Sequence, residues 1–400
     1  MIKWYLSGMI LLLMACENQH KKESQQLSHA GADASCPYIT SDQKGHTVIS
    51  WVEKDSLGDG GKMFFSVSND NEYTFSEPVA IPTTAGVFPH DENLPKLLFK
   101  QDGTVIALFG VEQHDARNKY AGKVMYTQSL DGGKSWQPAV ALVTDTAGYD
   151  QRYFDLALMP NGEAAAIWLD NRKNTNAEGS TLYFATTEGK SGFQGAKPVV
   201  ETVCQCCRTK LYVDKSSNKV HIVYRDIIND SIRDMVHQVS EDGGKTFSAP
   251  VRISADNWVV NGCPHTGPTL AANAKGLHFA WFTMGHGKGV FYCNSSDNGN
   301  TYTQKESLSD VAMAKHPQLI CTDNGDIYIA WDEPVKVGDD YNSRIGMVRK
   351  SPEGKTIADT KLTADSSYAN FPVLGTLNND VLVAYKQRQG NHGAVMYKLL

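Results

Sequence analysis

One apolar pattern recurs along most of the chain and constrains the fold more than any other feature. Seven short segments rich in β-branched and aromatic residues each carry one large aromatic side chain, 50 to 59 residues from the next. These aromatic residues are Trp51, Phe109, Trp168, Tyr224, Trp281, Trp331 and Tyr385. Such segments are typical of buried strands, and a period of this length indicates a repeat architecture. The pattern therefore predicts seven equivalent buried strands.

A second motif recurs in a different register. SLDGGKSW at residues 129–136, SEDGGKTF at 240–247 and SSDNGNTY at 295–302 share Ser, Asp, Gly and an aromatic residue at fixed spacing. Gly permits a left-handed backbone in a tight turn, and an Asp side chain accepts backbone N–H groups across it. We expect these segments to be structural turns between strands and not catalytic sites.

These turns resemble Asp-boxes, and with the strand repeat they make residues 36–400 similar to the sialidase (neuraminidase) superfamily. The resemblance implies an all-β fold, a single β-propeller domain over residues 36–400. The strand repeats favour seven blades, and six sialidase-like blades with an accessory strand layer are the alternative. The seventh repeat runs out at Leu400 before an outermost strand. We expect the segment just before Cys36 to supply that strand, since ring closure removes an exposed sheet edge.

The first 16 residues have the pattern of an export signal. They contain one Lys and an apolar run too short to span a bilayer comfortably, followed by Cys16. LMAC at residues 13–16 resembles the bacterial lipobox, which implies lipidation of Cys16 after a signal peptide over residues 1–16. We expect an exported protein, lipid-anchored to a bacterial cell membrane and facing the periplasm or the cell surface. The polar composition of residues 17–35 predicts a tether.

The net charge of the chain argues against one class of binding partner. The net charge is −6 and 20% of the 400 residues are charged, so no basic face is available to neutralise phosphates, and we expect no nucleic-acid partner. We expect a monomer that binds a glycan or another small molecule.

Polar residues gather at the ends of the predicted strands, on the face opposite the Asp-box turns. In a propeller the loops of this face converge near the axis and form one concave pocket. The side chains that we expect to bind substrate there are His90, Arg152, Arg208, Arg225, Asp226, His265 and His316.

The resemblance also implies catalytic roles. Sialidases hold a sugar carboxylate with arginines and use a Tyr paired with Glu as nucleophile. Carried onto this chain, Tyr368 is the candidate nucleophile, Glu333 its base and Asp91 the acid. Arg152, Arg208, Arg225 or Arg344 are the candidate carboxylate ligands. The implied function is a glycoside hydrolase, an exo-sialidase-like enzyme acting on an acidic or complex glycan. A metal-binding or redox propeller and a non-catalytic glycan- or protein-binding scaffold are the alternatives.

Cysteines form the other unusual group. Beyond Cys16, seven remain, an odd number for an exported protein. Cys36, the CQCCR segment at 204–208 and the CPH segment at 263–265 are expected near the axis. Three interpretations stay open for this group: disulfides, a redox centre, or a copper or zinc site. The ligands of that metal site would be Cys204, Cys206, Cys207, Cys263 and His265. Outside that alternative we expect no cofactor, and Cys293 and Cys321 are expected to be buried thiols.

Overall fold

The regular structure is almost entirely β. A computed structural model describes residues 23–55, 58–69, 73–145, 147–174, 178–260, 262 and 264–400. Within these ranges one 3-10 helix, Pro82–Thr84, accompanies 28 strands. The all-β prediction is confirmed. The same ranges contain no helix with the length and apolar character needed to cross a membrane. The predicted signal peptide and Cys16 lie outside the described residues.

The strands form consecutive groups of four, which we number in chain order. The first group is β2 (Ala34–Ser41), β3 (Thr47–Lys54), β4 (Gly61–Val67) and β5 (Val79–Ala80). The second is β6 (Lys96–Phe99), β7 (Val105–Glu112), β8 (Gly122–Ser129) and β9 (Val140–Ala141). The third is β10 (Gln151–Leu158), β11 (Ala164–Asp170), β12 (Ser180–Thr187) and β13 (Phe193–Val203). The fourth is β14 (Lys210–Val213), β15 (Val220–Ile228), β16 (Ile232–Ser240) and β17 (Val251–Arg252).

The remaining groups follow the same plan. The fifth is β18 (Thr269–Asn273), β19 (Gly276–Thr283), β20 (Gly289–Ser295) and β21 (Glu306–Ser307). The sixth is β22 (Lys315–Cys321), β23 (Ile327–Val337), β24 (Asp340–Lys350) and β25 (Thr356–Lys361). The last contains β26 (Ala369–Leu377), β27 (Asp380–Gln389) and β28 (His392–Leu399). Its outer neighbour is β1 (Gln25–Gln26), where Gln25 pairs with Tyr397 and Gln26 with Met396. Within every group, neighbouring strands are antiparallel.

The first strands of the groups surround one centre. Each contacts the first strand of the next group, and β2 contacts β26, so the contacts close into a ring. The seven aromatic residues of the repeat all lie in second strands, and none is more than 2% exposed. Their burial explains the period, because each second strand packs between the sheets of its neighbours.

The Asp-box segments are turns that follow third strands. Asp131 accepts hydrogen bonds from the Ser135 backbone N–H (2.9 Å) and hydroxyl (2.6 Å), and from the Ser129 hydroxyl (2.7 Å). Asp242 and Asp297 have the corresponding bonds. These bonds lower the pKa of all three carboxyl groups, which keeps the acceptors ionised.

Candidate functional site

A four-residue sequence recurs where each first strand begins, and it places side chains around the axis. The copies are CPYI (36–39), LPKL (94–97), YFDL (153–156), RTKL (208–211), GPTL (267–270), HPQL (316–319) and FPVL (371–374). The repeat of apolar segments described above marks the second strands only, so it does not reveal this four-residue sequence. Because the first strands ring the centre, equivalent positions of the copies face one another across the axis.

The third residue of every copy lines a narrow cavity of about 140 Å³, which we call the axial cavity. Asp155 lies between two cations there, with its carboxylate oxygens 3.5 Å from Lys96 Nζ and 3.4 Å from Lys210 Nζ. Burial opposes ionisation of Asp155, but the two lysines outweigh it and hold its pKa below the ordinary value. Burial lowers the pKa of Lys96 to about 8. In the axial cavity one carboxylate, that of Asp155, is therefore shared by two ammonium groups.

The first residue of four copies has a left-handed backbone. Cys36, Tyr153, His316 and Phe371 have φ values of 59°, 53°, 54° and 50°, and the strand register shifts at each of them. A residue with a Cβ is strained in this conformation, and such strain is common where side chains are aimed at a site. The bulges thus set the directions of these side chains, and that of Tyr153 lines the second cavity described below.

A buried ion pair crosses this end of the ring, and we call it the axial ion pair. Arg208 Nη1 lies 2.8 Å from Glu92 Oε1, and Arg208 Nη2 donates to the carbonyl oxygens of Pro317 (3.1 Å) and Gly267 (3.3 Å). The Gly267 N–H donates to Glu92 (3.1 Å). A Cβ on Gly267 would lie 2.2 Å from the Arg208 carbonyl oxygen, so only glycine fits. Arg208, predicted to bind substrate, is thus held by a carboxylate of the protein itself.

His316 is also held within the protein. Its Nδ1 lies 2.7 Å from Asp332 Oδ2, and its ring stacks on Phe371 with centroids 4.2 Å apart. The Phe371 N–H donates to the same Asp332 oxygen (2.9 Å). Burial opposes protonation, but Asp332 and then Glu92 outweigh it and raise the pKa of His316.

The candidate acid Asp91 lies between two groups of the protein. It accepts a hydrogen bond from the Cys36 N–H (2.9 Å) and pairs with Lys386 Nζ (2.9 Å). Asp91 is therefore an ion-pair partner of Lys386 in this structure.

A larger cavity of about 620 Å³ opens beside the axis between the second and third groups, and we call it the side cavity. Its wall includes His90, Arg152, Tyr153, Gln205, Cys206 and His265, with Phe88, Lys119 and Tyr120 also contributing. Three of the predicted substrate-binding residues, His90, Arg152 and His265, therefore come together. The His90 and His265 ring centroids are 6.5 Å apart, and burial lowers the pKa of His90.

Three buried polar atoms at the side cavity have no hydrogen-bond partner among the described residues: Arg152 Nε, Tyr153 Oη and Gln205 Oε1. Arg152 Nη2 donates to Asp150 (2.5 Å), so this guanidinium also has a carboxylate partner, and only its Nε–H has no acceptor among the described residues. Buried polar groups are nearly always hydrogen-bonded in folded proteins. The three atoms belong to side chains of one cavity wall but have almost no solvent-accessible surface, so a ligand reaches them when these side chains turn toward the cavity.

The implied catalytic pair is not assembled. Glu333 accepts hydrogen bonds from Trp331 Nε1 (2.8 Å) and Ser309 Oγ (2.9 Å), and it pairs with Arg344 Nη2 (2.8 Å). The Tyr368 ring packs under the Arg388 guanidinium, 3.8 Å from its centroid. No hydrogen bond joins Glu333 to Tyr368 in the described chain. Glu333 and Arg344 are therefore neighbours in an internal network and not a base and a free carboxylate ligand.

Arg225 and Asp226 lie at the end of β15 and not in the wall of the side cavity. Arg225 is fully buried and donates to the carbonyl oxygens of Arg233 (3.0 Å) and Phe282 (2.8 Å). Asp226 accepts a hydrogen bond from Thr202 (2.6 Å), and burial raises its pKa. Sequence proximity to the predicted pocket does not bring either residue into it.

Three cysteines cluster next to the side cavity. The Sγ atom of Cys204 lies 3.6 Å from that of Cys206 and 3.8 Å from that of Cys207. A disulfide needs about 2.05 Å, so these are separate thiols, and none of the described cysteines is in a disulfide. The disulfide interpretation is wrong for the described cysteines in this structure. Cys263 lies outside the described residues. Contacts with the Cys206 and Cys207 thiols lower the pKa of Cys204.

Comparisons with known proteins bear on the fold. No protein-family model and no curated protein matches the chain. Among solved structures it is similar to a protein of unknown function from Dyadobacter fermentans, with TM-score 0.53 and 12% identity over 95% of this chain and 99% of that one. It is similar to a Hadza microbial sialidase, with TM-score 0.52 and 15% identity over 78% of this chain and 66% of that one.

A third similar structure is a variant of the NanB sialidase from Streptococcus pneumoniae. Its TM-score is 0.51 at 10% identity, covering 91% of this chain and 85% of that one. The fold is sialidase-like. Identities this low establish the architecture alone, so the site must be argued from this chain's own residues.

Proposed function

We propose that this sialidase-like protein binds an acidic glycan in the side cavity, with Arg152 as the ligand of the sugar's carboxylate. The observation that carries the proposal is the set of unpartnered buried atoms of Arg152, Tyr153 and Gln205 around one cavity. A carboxylate suits the unpaired Nε–H of Arg152, and sugar hydroxyl groups suit a phenol and an amide oxygen.

The rest of the wall fits the same class of ligand. The cavity volume of about 620 Å³ is within the range of small-molecule sites. Phe88 and Tyr120 offer aromatic surface to the apolar face of a sugar ring, and Tyr120 is 68% exposed. Lys119 adds an ammonium group to the same wall and Glu112 a carboxylate, so an anionic group is favoured near Lys119 and Arg152 and disfavoured near Glu112.

Hydrolysis of the bound glycan is the second candidate. It is favoured by Tyr153, a hydroxyl in the side cavity beside a guanidinium, with the two groups 5.6 Å apart from carbon to ring centroid. Binding is the better supported of the two, because Glu333 and Tyr368 are held by other groups and no carboxylate bonds the Tyr153 hydroxyl in the described chain.

Two substitutions test the binding site without disturbing the fold. Tyr153→Phe removes a hydroxyl that has no partner, so it should change the free energy of unfolding by less than about 0.5 kcal/mol yet weaken binding of sialyllactose about fivefold. Arg152→Lys replaces the planar donor with a point charge and should weaken it about tenfold. Isothermal titration calorimetry measures both, and a fluorogenic sialoside measured on the same samples reports hydrolysis.

Arg349→Lys is the matched control, since Arg349 pairs with Asp326 on the sixth group, away from the side cavity. Lactose is the control ligand without a carboxylate, and Arg152→Lys should not change its binding. Equal sialyllactose affinity in Tyr153→Phe, Arg152→Lys and the parent would rule out the side cavity as the site.

We also propose that the groups of strands are the blades of one seven-bladed β-propeller closed by its N-terminal segment. The ring of contacts among first strands and the pairing of β1 with β28 support this arrangement over six blades with an accessory layer. In this arrangement β1, which lies within the predicted tether of residues 17–35, is the outermost strand of the last blade.

We further propose that the protein is exported and is attached by lipid, as a monomer, to a bacterial membrane. Export and lipid attachment are inferred from the sequence of residues 1–16. Replacing Cys16 with Ala removes the only group to which the acyl chains of a lipobox protein are attached. We expect most of the protein to leave the membrane fraction or to remain unprocessed, as measured by fractionation and intact mass. Unchanged partitioning into membranes would contradict the lipoprotein assignment.

A further inference from the structure

We propose that Cys204, Cys206 and Cys207 form a three-coordinate site for Cu(I), next to the side cavity and independent of glycan binding. The three Sγ atoms lie within 4.8 Å of one another, and all three side chains are buried. They come from the CQCCR segment, which the glycan site uses only through Gln205 and the wall position of Cys206.

The spacing of the thiols suits direct coordination. Metal–sulfur bonds of about 2.3 Å place sulfur atoms about 3.8 Å apart in tetrahedral and about 4.0 Å apart in trigonal geometry. The observed separations from Cys204 are 3.6 Å and 3.8 Å. Two of the three sulfur–sulfur separations are therefore within a few tenths of an ångström of those in a metal–thiolate site, and the third is at most 4.8 Å.

Charge compensation is already present. Arg225 is fully buried, donates only to backbone carbonyl oxygens, and has no carboxylate partner in the described chain. An unpaired buried cation is strongly unfavourable, and a backbone hydrogen bond from Cys204 N–H to the Arg225 carbonyl oxygen (2.8 Å) places Arg225 next to the thiol cluster. Arg233 also interacts with Cys204. Three thiolates with one Cu(I) carry a double negative charge, which Arg225 offsets in part, while Arg233 is shared with Glu178.

Ligand number favours Cu(I) over Zn(II). The cluster contains three ligands and no fourth residue among those described, whereas structural zinc sites use four protein ligands. Soft thiolates suit Cu(I). Because Cys206 lines the side cavity, the ion has a route from solvent to the buried sulfur atoms. On binding, any thiol proton is released to solvent, and the oxidation state of the metal does not change.

The test is Cu(I) titration of the whole protein, reduced and kept free of oxygen, against a chromophoric Cu(I) chelator. We expect one Cu(I) per chain and at least a hundredfold loss of affinity in Cys204→Ser and Cys207→Ser. Cys293→Ser is the matched control, since Cys293 is a buried thiol in β20 outside the cluster, and it should bind as the parent does. Sialyllactose affinity of the metal-free protein should be the same as that of the Cu(I)-loaded protein, so the two proposals fail separately.

X-ray absorption at the copper edge keeps the proposal falsifiable if a serine variant does not fold. Three sulfur ligands at about 2.3 Å in the loaded parent protein would support the site. Oxygen or nitrogen ligands, the absence of bound Cu(I) against the chelator, parent-like binding in Cys204→Ser, or tighter binding of Zn(II) than of Cu(I) would each overturn it.

Discussion

Arg208→Ala is expected to lower the free energy of unfolding by about 3–5 kcal/mol, because it leaves the buried Glu92 carboxylate without its cation. Arg208 and Glu92 have side-chain exposures of 7% and 2%. The substitution also removes the donor to the Pro317 and Gly267 carbonyl oxygens. Three groups of the ring thus lose a common partner. Urea denaturation followed by circular dichroism measures the change.

Two further variants separate charge pairing from a general effect of losing an arginine. Arg349→Ala removes a half-exposed guanidinium paired with Asp326 and should lower the free energy of unfolding by less than about 1 kcal/mol. Combining Arg208→Met with Glu92→Gln removes both charges and should recover a large part of the loss. If Arg208→Ala were no more destabilising than Arg349→Ala, the axial ion pair would have no special role in joining the ring.

Starting the chain at His29 is expected to lower the free energy of unfolding by about 2–4 kcal/mol relative to a chain that starts at Glu23. The shorter chain lacks β1 and its pairing with β28, and it lacks the hydrogen bond from Leu27 N–H to the Val395 carbonyl oxygen (2.8 Å). It also lacks the buried Leu27 side chain and the Ser28 hydroxyl that accepts from Val395 N–H (3.1 Å).

The loss of β1 has a second consequence, because β28 then becomes an unprotected sheet edge. Exposed edges pair with other chains, so size-exclusion chromatography should detect association of the shorter chain at concentrations where the longer one is monodisperse. Denaturation curves of the two chains are compared at equal concentration. Coincident curves would argue against closure by the N-terminal segment and in favour of another arrangement of blades.

The secondary structure of this protein can be predicted well from local sequence patterns, but the residues of its candidate site cannot. Trp51 and Trp331 mark second strands because their burial is a property of each repeat. Their indole N–H groups also explain Glu53 and Glu333, which lie two residues further along and accept these hydrogen bonds (2.8 Å each). Glu333 therefore has a structural partner in its own strand, a role that a search for catalytic acids does not consider.

The side cavity is a second example: here the sequence patterns missed residues that the structure places at the candidate site. Its defining atoms belong to Arg152, Tyr153 and Gln205, of which only Arg152 was predicted as a ligand. Tyr153 is the first residue of a copy of the four-residue sequence at the first strands. Aligning these copies would have singled it out, because three other copies have a left-handed residue at the same position. No local pattern marks Gln205, whose importance depends on the cavity it faces.

By itself, the sequence determined the all-β class, the strand period and the buried aromatic positions, because strand propensity, burial and turn chemistry act over a few neighbouring residues. Tertiary structure decided which polar side chains meet. Arg208 and Glu92 are 116 residues apart, and whether Arg208 binds a substrate or a carboxylate of its own chain depends on how the ring closes. The same packing leaves the Nε–H of Arg152 without an acceptor among the described residues and places Arg225 beside the thiols. Such pairings follow from packing distances between groups of strands, which no spacing along the chain encodes.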